Sequence, residues 1–164
     1  MNFLFAKTRE LVERAGYVEY AASILEPSDL YKAKGADNEE MVSEQTYTFT
    51  DRGDREVTLR PEMTPTVARM VAGRRRDLGF PLRWYSIPNC FRYERPQRGR
   101  LREFWQVNVD IFGSNSLAAD AEIIGIAYGL MIAYGARESD FQIKVGSRQA
   151  INSIAKENNL SEDK

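Results

Sequence analysis

Arginines are concentrated in one short stretch of this sequence, next to a run of aromatic and β-branched residues. Arg92 and Glu94 share one strand parity, and Arg95, Arg98 and Arg100 follow closely. Guanidinium groups bind phosphates through paired N–H donors and stack on flat rings. The stretch therefore indicates a site for a polyanion such as a nucleoside triphosphate. The alternative is a surface hairpin of salt bridges, which would contribute little to stability.

The strand after this stretch supplies a ring and several hydrogen-bond acceptors. Read with a period of two, one face carries polar residues and a ring, namely Arg100, Arg102, Phe104, Gln106, Asn108 and Asp110. The other face carries Leu101, Glu103, Trp105, Val107, Val109 and Ile111, and we interpret it as core. Phe104 with the acceptors Gln106 and Asp110 suits a base and a small zwitterion. An ordinary half-exposed strand also alternates, so a solvated face over a core is the other interpretation.

A second group of candidate residues lies in the segment 58–65, TLRPEMTP, where a strand ends just before a helix. Glu62 supplies a carboxylate and Thr64 a hydroxyl. Alone, the two would indicate only a helix cap. The sequence contains no glycine-rich loop of the Walker or Rossmann kind, so side chains must supply the phosphate contacts.

Helices and strands alternate along the chain in an order that predicts an α+β fold, an antiparallel β-sheet flanked by helices on one side. Thr64 is expected to cap one helix, with Pro65 at its first position. Predicted helices cover 2–15, 64–76, 116–134 and 148–158. Predicted strands cover 47–50, 57–59, 82–94, 101–112 and 141–145, and the stretch 95–100 forms the basic tip of a long hairpin.

Length and charge limit the classes of protein to consider. The 164 residues are 43% hydrophobic, which suits one domain over 1–164. The net charge of -1 lacks the electrostatic footprint of a general nucleic-acid binder, so any polyanion must be met locally. Phe3 to Phe5 are apolar, but charges follow at once, so we expect no signal peptide and no membrane span.

Cysteine and histidine usage narrows the chemistry further. Cys90 is the only cysteine and the chain has no histidine, which excludes an internal disulfide and removes the commonest metal ligand. We therefore expect no metal site made by the protein alone, and a reducing, cytoplasmic location.

The residues from 91 to 113, FRYERPQRGRLREFWQVNVDIFG, resemble motif 2 of class II aminoacyl-tRNA synthetases. Together with TLRPEMT at 58–64, they resemble the histidyl-tRNA synthetases within that class. The first helix and Leu25-Glu26-Pro27 are similar to motif 1, although the motif 1 proline has no counterpart near Ala22 or Ser23. The resemblance implies a class II catalytic core.

The resemblance also implies a role for each matching residue. Arg92 would hold the α-phosphate of ATP and the substrate carboxylate, which makes it the catalytic residue. Glu94 would contact the adenine amino group, Phe104 would stack on adenine, and Arg100 would reach the outer phosphates. The histidine-binding residues would be Arg92 together with Glu62, Thr64, Gln106 and Asp110. Asp110 is one methylene shorter than the glutamate common at its position.

The implied reaction joins histidine to tRNA(His) in two steps. The histidine carboxylate attacks the α-phosphate of ATP, giving histidyl-adenylate and pyrophosphate, and histidine then passes to the terminal ribose of the tRNA. Such catalysis depends on positioning and charge neutralisation, so arginines and Mg²⁺ can serve. The expected partners are histidine, ATP, tRNA(His) and a second copy in a homodimer.

The sequence ends at Lys164, before the segment that carries motif 3 and before an anticodon-binding domain in the family. We therefore expect the chain to be a truncated catalytic core that binds its substrates weakly and aminoacylates slowly. One alternative is a non-catalytic regulatory subunit of histidine biosynthesis, which would not need the adenine-site residues Glu94 and Phe104. Another is a class II synthetase for proline or threonine, against which Glu62, Thr64 and Gln106 favour histidine.

Overall fold

The structure is a computed structural model that describes residues 1–32, 45–95, 97–147, 152, 156 and 157. Its four α-helices with assigned bounds are α1 Asn2–Arg14, α2 Asp29–Lys32, α3 Thr64–Gly73 and α4 Leu117–Ala133. Its strands are β1 Val18–Glu19, β2 Leu25–Pro27, β3 Tyr47–Thr50, β4 Glu56–Leu59, β5 Leu82–Ser86, β6 Asn89–Phe91, β7 Glu103–Trp105 and β8 Asn108–Phe112. A 3₁₀ turn covers Glu138–Asp140. The predicted α+β class is confirmed.

A three-stranded sheet in the order β1-β5-β8 lies at the centre. β5 and β8 are antiparallel, whereas β1 runs parallel to β5. The odd-numbered residues of β5 and β8 face α1 and α4, where Tyr85 packs with Val12 and Ile126. Arg83 reaches α4 and donates two hydrogen bonds to Glu122, at 2.7 and 2.9 Å. These bonds, with one from Tyr17, lower the pKa of Glu122 to about 2.

The even-numbered residues of the same two strands face the opposite way. Leu82, Trp84 and Phe112 pack against a second apolar group formed by Tyr20, Met63, Val67 and Val71. Val67 and Val71 belong to α3, so helices cover both faces of the sheet rather than the one face expected. Met63, from the candidate segment TLRPEMTP, packs in the same apolar group. The candidate segment therefore lies on this face of the central sheet.

The predicted long hairpin from 82 to 112 is broken into two separate strand pairs. β5 pairs with β8 in the central sheet, and β6 pairs with β7 in a two-stranded sheet of their own. The break falls at Ile87 and Pro88 on one side and at Gln106 and Val107 on the other. Proline has no backbone N–H to give to a ladder, which explains a break at Pro88.

A third sheet, in the order β2-β4-β3, contains the predicted hairpin over 47–59. At its centre the Thr58 hydroxyl lies 2.7 Å from Ser28 Oγ and 2.8 Å from Thr48 Oγ1. β4 leads directly through 60–63 into α3. The capping prediction for that helix was wrong: Met63 is its N-cap, no side chain caps it, and Thr64 is its first residue.

Three other expectations differ from the structure. Residues 141–147 form no strand, and no described strand pairs with them. The predicted helix over 148–158 lies largely outside the described residues. Leu101, Trp105 and Val107 were expected in the core but are 69%, 44% and 38% exposed, because the break in the hairpin leaves them beyond the central sheet. Among the described helices, none is long and apolar enough to cross a membrane.

Candidate active site

Arg92 lies just after β6, and hydrogen bonds to two neighbouring segments hold it in place. Its Nε donates to the Pro61 carbonyl oxygen at 3.0 Å, and its backbone N–H donates to the Arg102 carbonyl oxygen. The guanidinium carbon lies 5.2 Å from the centroid of the Phe104 ring. The Arg92 side chain is 28% exposed, so part of it remains accessible to solvent. A cation fixed in this way is preorganised for an anion.

Glu94 lies between the half-buried Arg92 and the exposed Arg100. Its carboxylate lies 4.0 Å from Arg92 Nη1 and 3.3 Å from Arg100 Nε. Arg100 is 62% exposed, so its ion pair is screened by solvent and weak. Arg102 donates to the Glu94 carbonyl oxygen at 3.2 Å and stacks over Tyr93. The structure therefore brings together Arg92, Glu94, Arg100 and Phe104.

The second candidate group meets the first around Cys90. The thiol is fully buried and donates to Gln106 Oε1 at 3.6 Å. Burial raises the pKa of Cys90; the charges of Arg60 and Arg92 oppose that rise, and the charge of Glu62 adds to it. Glu62, Arg92 and Gln106 therefore all lie close to the Cys90 thiol. Thr64 is exposed at the start of α3.

Sequence reasoning missed Arg60, a buried arginine that holds three segments of this region together. It is only 5% exposed. Its Nε donates to the Asn89 carbonyl oxygen at 2.8 Å, and Nη2 donates to Asn89 Oδ1 at 3.0 Å. Nη1 donates to the Ala22 carbonyl oxygen at 3.0 Å. Arg60 thus ties the segment before Glu62 to β6 and to the chain after β1. An arginine inside the apolar run TLRP was the available signal.

Asp110 lies on the central sheet rather than on the two-stranded one. It pairs with Trp84, and cross-strand partners share a face, so Asp110 points to the side of Tyr20 and Met63. Burial raises the pKa of Asp110. Its Oδ2 atom is enclosed and has no hydrogen-bond partner among the described residues. Asp110 therefore belongs to a different strand pair from the one that Arg92 follows, because the hairpin is broken between them.

The described residues contain no group of three acidic, histidine or cysteine side chains that could hold a metal ion. Mg²⁺ commonly keeps several waters and binds through substrate phosphates with one or two carboxylates. The cluster of Arg92, Glu94, Arg100 and Phe104 offers two arginines, one carboxylate and one aromatic ring, which suit a ring that carries phosphates. None of the four described side chains in this cluster is an activated nucleophile, and its chemistry would be positioning and charge stabilisation.

The chain is similar in sequence to curated proteins over most of its length. Histidine--tRNA ligase from Leptospira biflexa is 49% identical over 150 residues, which cover 92% of this chain and 34% of that protein. The enzyme of the same name from Pyrococcus abyssi is 37% identical over 162 residues, 99% of this chain and 36% of that protein. The chain therefore spans about a third of the length of the curated relatives it matches.

Solved structures agree with the fold. Histidyl-tRNA synthetase from Nostoc superposes with a TM-score of 0.78 at 24% identity, covering 98% of this chain and 36% of that one. Apo histidyl-tRNA synthetase from S. aureus gives 0.67 at 27% identity, covering 82% and 30%. The family model described as histidyl-tRNA synthetase matches residues 2–164. With that match across nearly all of its length, the chain belongs to the histidyl-tRNA synthetase family.

Proposed function

We propose that this chain forms the part of a histidine--tRNA ligase that binds ATP and histidine and that aligns them for adenylate formation. The observation that carries the proposal is Arg92, fixed by the Pro61 carbonyl oxygen, stacked near Phe104 and next to Glu94. An arginine held in this way can neutralise charge without reorganising during the reaction.

Within the proposal, the ATP site consists of Arg92, Glu94, Arg100 and Phe104. Arg92 holds the α-phosphate, and the more exposed Arg100 moves from Glu94 to the outer phosphates. The Glu94 carboxylate accepts from the adenine amino group once ATP has drawn Arg100 away. Phe104 presents the ring face not occupied by Arg92 to adenine. Support comes from the short distances that already join these four side chains.

The proposed histidine site lies toward the segment 58–64. Glu62, Thr64 and Gln106 receive the amino group, Arg92 holds the carboxylate, and Asp110 faces the imidazole. The position of Met63 in the same apolar group as Trp84 supports this arrangement, because Trp84 is the cross-strand partner of Asp110. The histidine carboxylate oxygen then attacks the α-phosphorus, the bond to the bridging oxygen breaks, and pyrophosphate leaves.

The proposal includes Mg²⁺, tRNA(His) and a second copy of the chain. Mg²⁺ would enter with ATP and neutralise charge on its phosphates. The tRNA accepts histidine on its terminal ribose. The exposed apolar residues Met1, Phe3 and Leu4 at the start of α1 support a homodimer. The proposed location is the cytoplasm.

The relatives favour this function over the regulatory alternative. The curated proteins from Leptospira biflexa and Pyrococcus abyssi are both named histidine--tRNA ligase. One solved structure titled as an ATP phosphoribosyltransferase regulatory subunit/histidyl-tRNA synthetase, from Bacillus halodurans C, has a TM-score of 0.71 at 24% identity, which bears on the fold alone.

Pyrophosphate exchange across the twenty amino acids tests the proposed function. We expect histidine alone to support exchange, at a rate far below that of the full-length Leptospira biflexa relative, because the chain spans only a third of such proteins. Arg92→Ala should lower the rate by a further factor of roughly 100 or more. Arg137→Ala, whose arginine pairs with Asp140, is the matched control and should leave the rate unchanged. A different preferred amino acid, or equal rates for Arg92→Ala and the original chain, would refute the proposal.

A further inference from the structure

The buried guanidinium of Arg60 donates to neutral oxygens of two separate segments. Nε donates to the Asn89 carbonyl oxygen at 2.8 Å, and Nη2 donates to Asn89 Oδ1 at 3.0 Å. Nη1 donates to the carbonyl oxygens of Ala22 and Ser23, at 3.0 and 3.4 Å. Burying a charged group costs free energy, and an apolar residue of similar size often serves folding as well. The arginine therefore indicates a role in holding these segments in a fixed geometry.

The backbone of Arg60 joins the same segments as its side chain. Its N–H donates to the Ile24 carbonyl oxygen at 3.0 Å, and its carbonyl oxygen accepts from the Phe91 N–H at 2.9 Å. Arg60 is thus bonded to the chain just before β2, and to both Asn89 and Phe91 at the ends of β6. The segment at Arg60 cannot shift along β6 without breaking several hydrogen bonds.

Pro61 connects this anchored residue to Arg92. Pro61 is fully buried, and its carbonyl oxygen accepts the 3.0 Å hydrogen bond from Arg92 Nε. A proline ring restricts its own φ angle, and the residue before a proline is confined to extended conformations. Few soft dihedral angles therefore remain between the Arg60 Cα and the Pro61 carbonyl oxygen. The direction of that oxygen depends on how Arg60 is held.

The two arginines of the proposed ATP site have different supports. The Arg92 side chain donates to Pro61, whereas the Arg100 side chain pairs with Glu94. The Arg100 backbone N–H donates to the Gln97 carbonyl oxygen within the basic tip. A change at Arg60 should therefore disturb Arg92 and leave Arg100 in place.

We propose that Arg60 is a positioning residue that acts through Pro61 and fixes the Arg92 guanidinium where it meets the α-phosphate of ATP. This inference rests on the function proposed above. Arg60 acts on Arg92 rather than on the substrate. Its bonds to Ala22 and Ser23 extend the support of Arg92 to the chain between β1 and β2, a segment far from Arg92 in sequence.

Two variants weaken this support to different extents. Arg60→Lys keeps the positive charge, but an ammonium group cannot bridge Asn89 and Ala22 as a planar guanidinium does. Asn89→Ala removes only the Oδ1 acceptor and keeps the backbone acceptor, so it serves as the milder variant if Arg60→Lys does not fold. Glu103→Ala is the matched control, because the exposed Glu103 carboxylate accepts from Asn89 Nδ2 at 3.1 Å and does not contact Arg60.

The first measurement follows the Arg92 Nε–H resonance in ¹⁵N NMR spectra of the whole chain without ATP. This proton should exchange slowly with solvent in the original chain and in Glu103→Ala, because the Pro61 carbonyl oxygen accepts it. We expect exchange to be roughly tenfold faster in Arg60→Lys and Asn89→Ala, as follows from the loss of about one hydrogen bond. Unchanged backbone N–H signals of α1 and α4 would show that the fold is intact.

The second measurement is ³¹P NMR of ATP with Mg²⁺, titrated with the same variants. We expect Arg60→Lys to lose most of the α-phosphorus shift and to keep the γ-phosphorus shift, which depends on Arg100. A general loss of folded chain would instead reduce both shifts by the same factor, because it lowers only the fraction of chain able to bind. Glu103→Ala should give the shifts of the original chain.

Each contrary outcome has a distinct meaning. Slow Arg92 Nε–H exchange or an unchanged α-phosphorus shift in folded Arg60→Lys would overturn the inference. Equal losses of the α- and γ-phosphorus shifts would give Arg60 a structural role alone, and would also overturn it. If ATP does not bind to the original chain while Arg92 Nε–H exchange still accelerates in Arg60→Lys, the proposed function fails and the positioning of Arg92 by Arg60 stands.

Discussion

Asp110 is the residue at which folding and the proposed function oppose each other. Its carboxylate lies on the face of the central sheet that packs against Tyr20 and Met63, and one oxygen has no partner among the described residues. Burial raises its pKa, so holding the charged form costs free energy in the folded state. Such a cost is typical of residues retained for binding rather than for stability.

Replacing Asp110 by asparagine should therefore stabilise the chain at neutral pH. A carboxyl group with a raised folded-state pKa is most favourable to folding below its unfolded value of 3.8, and that contribution is lost as pH rises through the folded value. We expect Asp110→Asn to raise the free energy of unfolding at pH 7 by up to about 1 kcal/mol, and to have little effect near pH 3. Urea unfolding at both pH values measures this; the exposed Asp77→Asn is the control. A loss of stability at pH 7 would show that Asp110 supports the fold.

At the scale of the elements, the turn after β8 depends on a glycine for two separable reasons. Gly113 has a φ of +81°, and a Cβ there would lie 2.8 Å from Phe80 Cδ1 and 3.0 Å from Phe80 Cβ. Gly99, in the basic tip, has a φ of +83° and no atom within 4 Å of such a Cβ. Gly113 thus combines backbone strain with close packing, whereas Gly99 has the strain alone.

Alanine substitutions at the two glycines separate these effects. Gly99→Ala should lower the free energy of unfolding by about 1 kcal/mol, the cost of a left-handed backbone for a residue with a side chain. Gly113→Ala should lower it by roughly 3 kcal/mol, because overpacking against Phe80 adds to that strain. Equal losses in urea unfolding would mean that Phe80 moves away freely, and that the turn tolerates a side chain.

Sequence patterns identified most elements, and their errors have local causes. Gly16 predicted the end of α1, Pro65 the start of α3 and the turn over 51–54 the first hairpin, since each of these residues restricts its own backbone. The end of α3 was wrong: the helix stops at Gly73 and not at residue 76. Pro88 was overlooked inside a run that otherwise alternates like one strand, and its missing N–H splits the long hairpin. The grouping of Arg92, Glu94, Arg100 and Phe104 was predictable because these residues are close in sequence. Arg60 and Asn89 come together only through the tertiary fold.

At the scale of the whole molecule, the described arginines that would contact ATP come from two neighbouring segments, β6 and the basic tip. Arg92 approaches from β6 and Arg100 from the basic tip. The chain spans about a third of its curated relatives, so we expect ATP to bind to it weakly. After Glu122, helix α4 is apolar around its circumference and leaves Tyr128, Met131 and Ile132 exposed, which is typical of a helix that packs on more than one side.

The assignment of Arg92 to the α-phosphate is tested most directly by ³¹P NMR of ATP with Mg²⁺, titrated with the chain and its variants. Arg137→Ala is the control for a lost surface charge. We predict that the original chain and Arg137→Ala shift the α-phosphorus resonance, that Arg92→Ala abolishes this shift, and that Arg100→Ala keeps it while reducing the γ-phosphorus shift. An α-phosphorus shift that persists unchanged in Arg92→Ala would contradict the assignment of the site.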